Sequence, residues 1–373
     1  MILTNCAACA APLRFPAKQC GRCKTLYCGA ACQVQHWKEG GHDQLCKKIK
    51  KAGGAEQYNA NKRYTEAVAV AVDKCAEDTK GQTCFICTQA LHWKTKEGLV
   101  RGCACRGTAG FAHVSCLAEQ AKILMDEAEA NNLGGEARDA RWHRWDTCSQ
   151  CEQMYHGVVS CAFGWACWKT YVGRAETHWT RRSAMTCLAI GLNEAGQHEE
   201  RLRVMEQQLV TEERIGGPEM NRTHIRSNVA SCYLSLGRMP EALGLYREVY
   251  ATYRRLCGSS HKDTCIAAIN VSATLRAQGN VAEAAKFTRK ILPEVTLVFG
   301  ADSDVSLKLN ATLAQALYLD EKAPPEHLRE AVEILERTIR ISQRVLGGQH
   351  PLTKAVQGDL AEARRRVAWG SRG

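Results

Sequence analysis

Between Cys84 and Cys151 the chain carries eight metal-ligand residues in four close pairs: Cys84/Cys87, Cys103/Cys105, His113/Cys116 and Cys148/Cys151. Thiolate and imidazole are the donors Zn²⁺ prefers, and each ion takes four of them. The series therefore fits two tetrahedral zinc ions. A single C-x2-C would say little; four pairs in order constrain this stretch more than anything else in the chain.

The ligand types run four cysteines, one histidine, three cysteines, with seven residues between Cys105 and His113. This resembles a RING-CH finger, the RING variant of ubiquitin ligases. A PHD finger has the same order, but a shorter gap before the histidine and usually a tryptophan two residues ahead of the last pair. Trp145 lies three ahead of Cys148, and RING-CH is the preferred reading. The resemblance implies a cross-brace, with Cys84, Cys87, His113 and Cys116 on one zinc and Cys103, Cys105, Cys148 and Cys151 on the other. It also implies that Ile86, with Phe85 beside it, contacts a ubiquitin-conjugating enzyme, and that no ring residue forms a covalent intermediate. Three departures bear on activity. The helix after Cys116 lacks the family's tryptophan, Ser149-Gln150 lacks its proline, and Glu152 stands where many active rings place a cation.

The first fifty residues hold a second array: Cys6/Cys9, Cys20/Cys23, Cys28, Cys32, His42 and Cys46. With Tyr27 before Cys28, Gln33 after Cys32 and the His36-Trp37 pair, it resembles a MYND finger. Interleaving as in that family assigns Cys6, Cys9, Cys28 and Cys32 to one zinc and Cys20, Cys23, His42 and Cys46 to the other. His36 competes for the histidine role, but His42-x3-Cys46 sets two ligands one helical turn apart and is preferred. Four zinc ions are expected in all. MYND fingers bind short proline-containing peptides, which is the partner class this resemblance implies; a purely stabilising finger is the plain alternative. The run Lys47-Lys48-Ile49-Lys50-Lys51 reads as a solvated helix end rather than a nuclear-import patch.

At 373 residues the chain suggests two or three domains. Its net charge of +11, taken as spread along the chain, argues against a nucleic-acid partner. Fourteen of the 21 cysteines belong to the two arrays and no secretory signal precedes them, so a reducing compartment, cytoplasmic or nuclear, is expected rather than a disulfide framework. The apolar run Val158 to Trp168 falls short of the ~20 residues a membrane span needs. Cys161 and Cys167 within it read as buried packing.

After Gly53-Gly54, Tyr64, Ala67, Val68, Ala71, Val72 and Cys75 mark one face of a helix over 55–78, although the Val-Ala alternation also suits a strand. Leu117 to Leu133 reads as a helix ending at Gly134-Gly135, with Leu117, Ala121, Leu124 and Ala128 on one face. From Arg181 a period of about 42 residues appears. Glu199, Glu241, Glu283 and Glu330 recur in phase, as do Gly216, Gly258, Gly300 and Gly347, while Ala242, Ala284 and Ala331 follow the last three glutamates. Helical hairpins that cannot bury their own apolar faces must stack into a superhelix. The period and Leu346-Gly347-Gly348-Gln349-His350-Pro351 resemble the tetratricopeptide repeats of kinesin light chains. That resemblance implies a peptide groove lined by Asn228 and Asn270, with Thr312 and Asp359 at the matching positions of later units.

The expected architecture is mainly α: a MYND-type finger over 1–50, a helical linker over 51–80, a RING-CH-type finger over 81–158, an aromatic connector over 159–180 and repeats over 181–367. The leading functional expectation is a soluble RING-type ubiquitin ligase whose MYND finger and repeats select partners. A non-catalytic adaptor is the alternative, and a PHD-like chromatin reader a distant third.

Overall fold

The computed structural model describes residues 5–11, 13, 17–320 and 322–370. The chain divides into two compact units, Met1–Gly216 and Gly217–Gly373. The division falls one helical hairpin beyond the point where the repeats begin in sequence.

In the first unit, two short antiparallel strands, β1 (Lys18–Gln19) and β2 (Leu26–Tyr27), form the front finger with helices α1 (Ala30–Lys38) and α2 (His42–Lys51). His42, Cys46 and Ile49 point inward from α2. Gly40 must be glycine, since a Cβ there would sit 2.2 Å from the His36 ring. The linker is a helix, α3 (Ala55–Cys75), and not a strand. Its buried side, Tyr64, Val68, Ala71 and Cys75, follows the 3.6-residue period. Cys75 is a core residue, its thiol directed at the Arg101 carbonyl.

The ring module contributes α4 (Val114–Ala130) and α5 (Gly135–Trp142). Helix α4 begins three residues earlier than the sequence suggests and ends at Ala130, where Asn131 caps it and Asn132 takes a φ of 51°. Its buried face is accordingly Val114, Leu117, Ala121, Met125 and Ala128, with Met125 in the place expected for Leu124.

Helix α6 (Gly157–Tyr171) is the hub of this unit. It is apolar on all sides, and Val159 through Trp168 are buried without a break, as befits a helix surrounded by others. It packs against α3, α4 and α7 (Trp179–Glu194). The contact with α7 is backbone to backbone. A Cβ on Gly164 would lie 3.0 Å from Leu188 Cα, and one on Gly191 would lie 2.6 Å from the Ser160 carbonyl oxygen. Helix α8 (His198–Arg214) closes the hairpin with α7.

The second unit is a stack of helices: α9 (Glu219–Ser235), α10 (Met239–Cys257), α11 (Lys262–Ala277), α12 (Val281–Phe299), α13 (Asp304–Leu319), α14 (Pro325–Leu346) and α15 (Pro351–Gly370). Each packs on the next, and α11 and α15 also touch α13, the arrangement of a repeat superhelix. The phased residues now have reasons. Ala242 and Ala284 are fully buried in the first turn of α10 and α12, and Ala331 in the second turn of α14. Gly258, Gly300 and Gly347 end those helices at φ near 86°, where a Cβ would be strained. Glu283 and Glu330 accept ion pairs from Arg247 and Arg289, each on the second helix of the preceding hairpin. Among the described residues no helix is long and apolar enough to cross a membrane.

Candidate metal centres and binding surfaces

The four C-x2-C pairs sit on the same backbone device. At Cys6, Cys20, Cys84 and Cys148 the residue's N–H bonds the carbonyl five residues on, and its own carbonyl accepts from the N–H four residues on. That fourth residue, Ala10, Lys24, Thr88 or Glu152, has a positive φ of 55–62°. The turn aims the first sulfur and its partner three residues later at one point. Backbone N–H groups also reach the sulfurs, Ile86 to Cys84 and Gln150 to Cys148, both at 3.4 Å. Burial raises the Cys20 thiol, but the His42 imidazole and the N–H groups of Cys23 and Arg22 outweigh it and bring it to about 6.

Each turn meets one further ligand pair, giving four clusters of four: Cys6, Cys9, Cys28 and Cys32; Cys20, Cys23, His42 and Cys46; Cys84, Cys87, His113 and Cys116; Cys103, Cys105, Cys148 and Cys151. Within each, the donor atoms all lie within 4.8 Å of one another. Four donors around a zinc ion at ~2.3 Å for sulfur and ~2.0 Å for nitrogen are separated by about 3.8 Å (S···S) and 3.5 Å (S···N). The observed separations match: 3.7 Å for Cys9–Cys28, 3.9 Å for Cys20–Cys46, 3.8 Å for Cys105–Cys148, 3.4 Å for Cys23–His42 and 3.6 Å for Cys116–His113. All 21 cysteines are free thiols. In both modules the first and third ligand groups share one cluster and the second and fourth the other, which is the cross-brace.

The histidines are set for the task. His113 is fully buried, and its Nε2–H donates to the Ala90 carbonyl at 3.3 Å, which leaves the Nδ1 lone pair facing Cys87 and Cys116. Burial lowers its pKa and favours the neutral imidazole a metal requires. His42 turns Nε2 to Cys23. His36, the competitor, instead places Nδ1 3.0 Å from the Tyr27 hydroxyl, outside the cluster.

Four segments match known families. Residues 6–46 match the MYND finger, residues 84–133 the RING-variant domain, and residues 219–293 and 326–352 tetratricopeptide repeat models. The chain thus carries a MYND finger, a RING-variant domain and tetratricopeptide repeats. Fingers of the first two kinds bind zinc, and the four clusters fit that ion. The RING-variant match stops before Cys148 and Cys151, which the structure nonetheless brings to Cys103 and Cys105 across α4 and α5. No curated protein matches the chain significantly. Among solved structures, the putative kinesin light chain of Podosopora anserina, with nearly identical TPR-like repeats, is 22% identical over 52% of this chain and 91% of that one, at a TM-score of 0.45. BtubC (BKLC) from P. vanneervenii is 14% identical over 69% of this chain and 88% of that one, at 0.43.

Outside the clusters, Ile86 is 36% exposed at the tip of the Cys84 turn, with Phe85 half-buried beside it. In the repeats, Asn228 and Asn270 are half-buried, and neither side chain hydrogen-bonds another described residue. Thr312 differs: its hydroxyl donates to the Lys308 carbonyl. Asp359 is also occupied, accepting from Gln315 Nε2 and the Tyr318 hydroxyl, both at 2.8 Å. Only the two asparagines of that row remain open. Cys161 and Cys167 are buried in α6 and join no cluster. Trp145, weighed in sequence for its spacing to Cys148, is buried against Phe163 and Tyr171.

Sequence reading missed one element of the ring module. His92 heads a fifth turn of the same kind, His92 N–H to the Glu97 carbonyl and Lys96 N–H to the His92 carbonyl, with Lys96 at φ 61°. Thr95 stands where the second ligand would be, and His92 Nδ1 accepts from both its N–H (3.1 Å) and its hydroxyl (2.8 Å). Hydrogen bonds here do what a metal does in the other four turns. The tip presents Trp93, 68% exposed. The H-x2-T spacing was visible, but no ligand-based search selects it.

Proposed function

We propose that the chain is a RING-type ubiquitin ligase in which the ring engages a ubiquitin-conjugating enzyme and the MYND finger and repeats hold partner proteins. The sixteen clustered residues are the zinc ligands in this reading. The observation that carries it is Ile86, an apolar side chain left exposed on a turn whose shape the metal cluster and backbone already determine. Such a residue contributes little to a core and is available to a partner. The open pair Asn228 and Asn270 supports peptide binding in the repeats, since an amide without an internal partner is ready to pair with a peptide backbone. Auto-ubiquitination of the zinc-loaded protein with a panel of conjugating enzymes tests the proposal. Transfer with at least one enzyme is expected; none with any would leave an adaptor.

The adaptor reading rests on Glu152. It follows the last ligand at φ 55° with its side chain exposed, and so puts an anion where active rings present a cation. The ring would then serve as a rigid scaffold between two partner-binding modules.

A further inference from the structure

The net charge is not evenly spread. Residues 1–65 hold eleven Lys and Arg against three Asp and Glu, a surplus of eight out of the chain's eleven. Much of it lies on one helix. At 100° per residue, Lys50, Lys47, Lys51 and Lys48 spread over an arc of about 160° on α2, with Asp43 and Gln44 inside it one turn earlier, while His42, Cys46 and Ile49 fill its buried side. Lys18, Arg22 and Lys24 on the same finger are also exposed, although Lys24 lines a different hollow, which Glu56 and Glu176 share. The turn carrying Arg22 and Lys24 is tied to the start of α3 by the bond from Ala55 N–H to the Cys23 carbonyl. None of these seven cations forms an ion pair among the described residues.

Cations in a last turn complement the helix dipole. That accounts for the end of α2, and for neither Lys47 nor the three cations of the knuckle and hairpin. The face also has a floor. Between α2 and α3 an open hollow of about 450 Å³ is lined by Lys48, Lys51, Ala52, Tyr58, Asn61, Lys62 and Thr65, and no carboxylate lines it.

We propose that this face binds the phosphate backbone of a nucleic acid without reading its sequence. Ammonium groups with neutral hydroxyl and amide donors are the set that contacts phosphate and sugar oxygens; Lys48, Lys51, Tyr58 and Asn61 supply it in the hollow, where the Thr65 hydroxyl already donates to the Asn61 carbonyl and Lys62 pairs with Glu66. The four lysines fan around about one turn of α2 rather than converging on one point, which suits a polymer carrying several phosphates better than a single anion. An acidic protein segment would need an apolar anchor at its centre. The large exposed apolar residues of the finger, Val34 and Trp37, are on α1 and do not line the hollow.

Fluorescence anisotropy of the full-length, zinc-loaded protein with labelled 20-nucleotide RNA and a 20-base-pair DNA duplex, from 50 to 200 mM salt, tests this. Binding should weaken steeply with salt. Changing Lys47, Lys48, Lys50 and Lys51 together to Gln should lower affinity at least tenfold and flatten the log–log salt slope on the duplex by about 3 to 4, while the same four changed to Arg should keep both. Should the Gln variant lose zinc, the pair Lys62→Glu and Thr65→Glu, on exposed positions of α3, must lower affinity instead. No binding at 50 mM salt, an unchanged slope in both variant sets, or equally effective displacement by poly-glutamate would overturn the proposal, the last in favour of an acidic protein.

Discussion

Single residues decide between the two functional readings. Ile86→Ala removes an apolar anchor from a small interface, where truncation typically costs more than about 1 kcal/mol, so ubiquitin transfer should fall roughly fivefold or more. Zinc content and helicity should not change, because Ile86 contributes only a backbone N–H to the Cys84 sulfur, which Ala retains. Equal transfer by both proteins would remove Ile86 from the contact. Glu152→Arg restores the cation and should raise transfer; a wild type that is inactive and stays inactive with this change is an adaptor. In the repeats, Asn228→Ala with Asn270→Ala should abolish peptide capture while shifting stability by less than about 0.5 kcal/mol, as expected for side chains that bond no other described residue. A lower melting temperature with capture intact would make both asparagines structural. Residues were also where sequence was most informative. Ligand chemistry is carried by residue type and spacing, so all sixteen clustered positions were legible, including His42 over His36. Thr312 and Asp359 were legible only as positions in a row, because what engages them is the Lys308 carbonyl in one case and Gln315 and Tyr318 in the other.

At the scale of elements, α6 shows what periodicity cannot convey. An all-round apolar helix has no preferred face, so its sequence announced burial without naming neighbours. Its close approach to α7 depends on Gly164 and Gly191, neither of which signals itself as a contact residue. Gly191→Ala places a methyl group 2.6 Å from the Ser160 carbonyl oxygen, and backbone cannot yield as a side-chain end does. Overpacking of this kind costs about 1–3 kcal/mol. Denaturant unfolding should show that loss in the first unit, and a variant as stable as wild type would mean the helices are free to separate. Helix α4 carries a related lesson. Its start is fixed from outside, by the Glu97 carboxylate accepting from Ser115 N–H at 2.6 Å, and a cap supplied from eighteen residues away leaves no local mark. The buried face was read one residue off at Leu124, because both i+3 and i+4 steps continue an apolar face and what packs on α4 selects Met125.

For the molecule as a whole, the candidate metal ligands are distributed unevenly. All four clusters lie in the unit ending at Gly216, and the other unit holds none among its described residues. Elemental analysis should return four zinc ions per chain, and two or fewer would break the double assignment. Structural zinc contributes on the order of 10 kcal/mol or more to a small finger. Chelation should therefore unfold both fingers while α9 to α15 keep their helical circular-dichroism signal and a cooperative melt. Cys20→Ala should unfold the front finger alone, and Cys103→Ala the ring alone.

The His92–Glu97 turn gives the ring an order of assembly. It closes on hydrogen bonds between residues at most five apart, so it does not wait for an ion, and loops of about ten residues close in 10–100 ns. Once shut, it holds Glu97 where that carboxylate starts α4, and α4 in turn presents His113 and Cys116 on one helical turn. An ion arriving at the nascent ring would meet half of its coordination sphere already gathered, with less chain entropy left to lose. Weakening the turn with His92→Ala and Thr95→Ala, which removes the bonds to His92 Nδ1, should accordingly slow zinc capture by the ring in stopped-flow mixing without lowering the final metal content. A capture rate equal to wild type would place closure of the turn after metal binding.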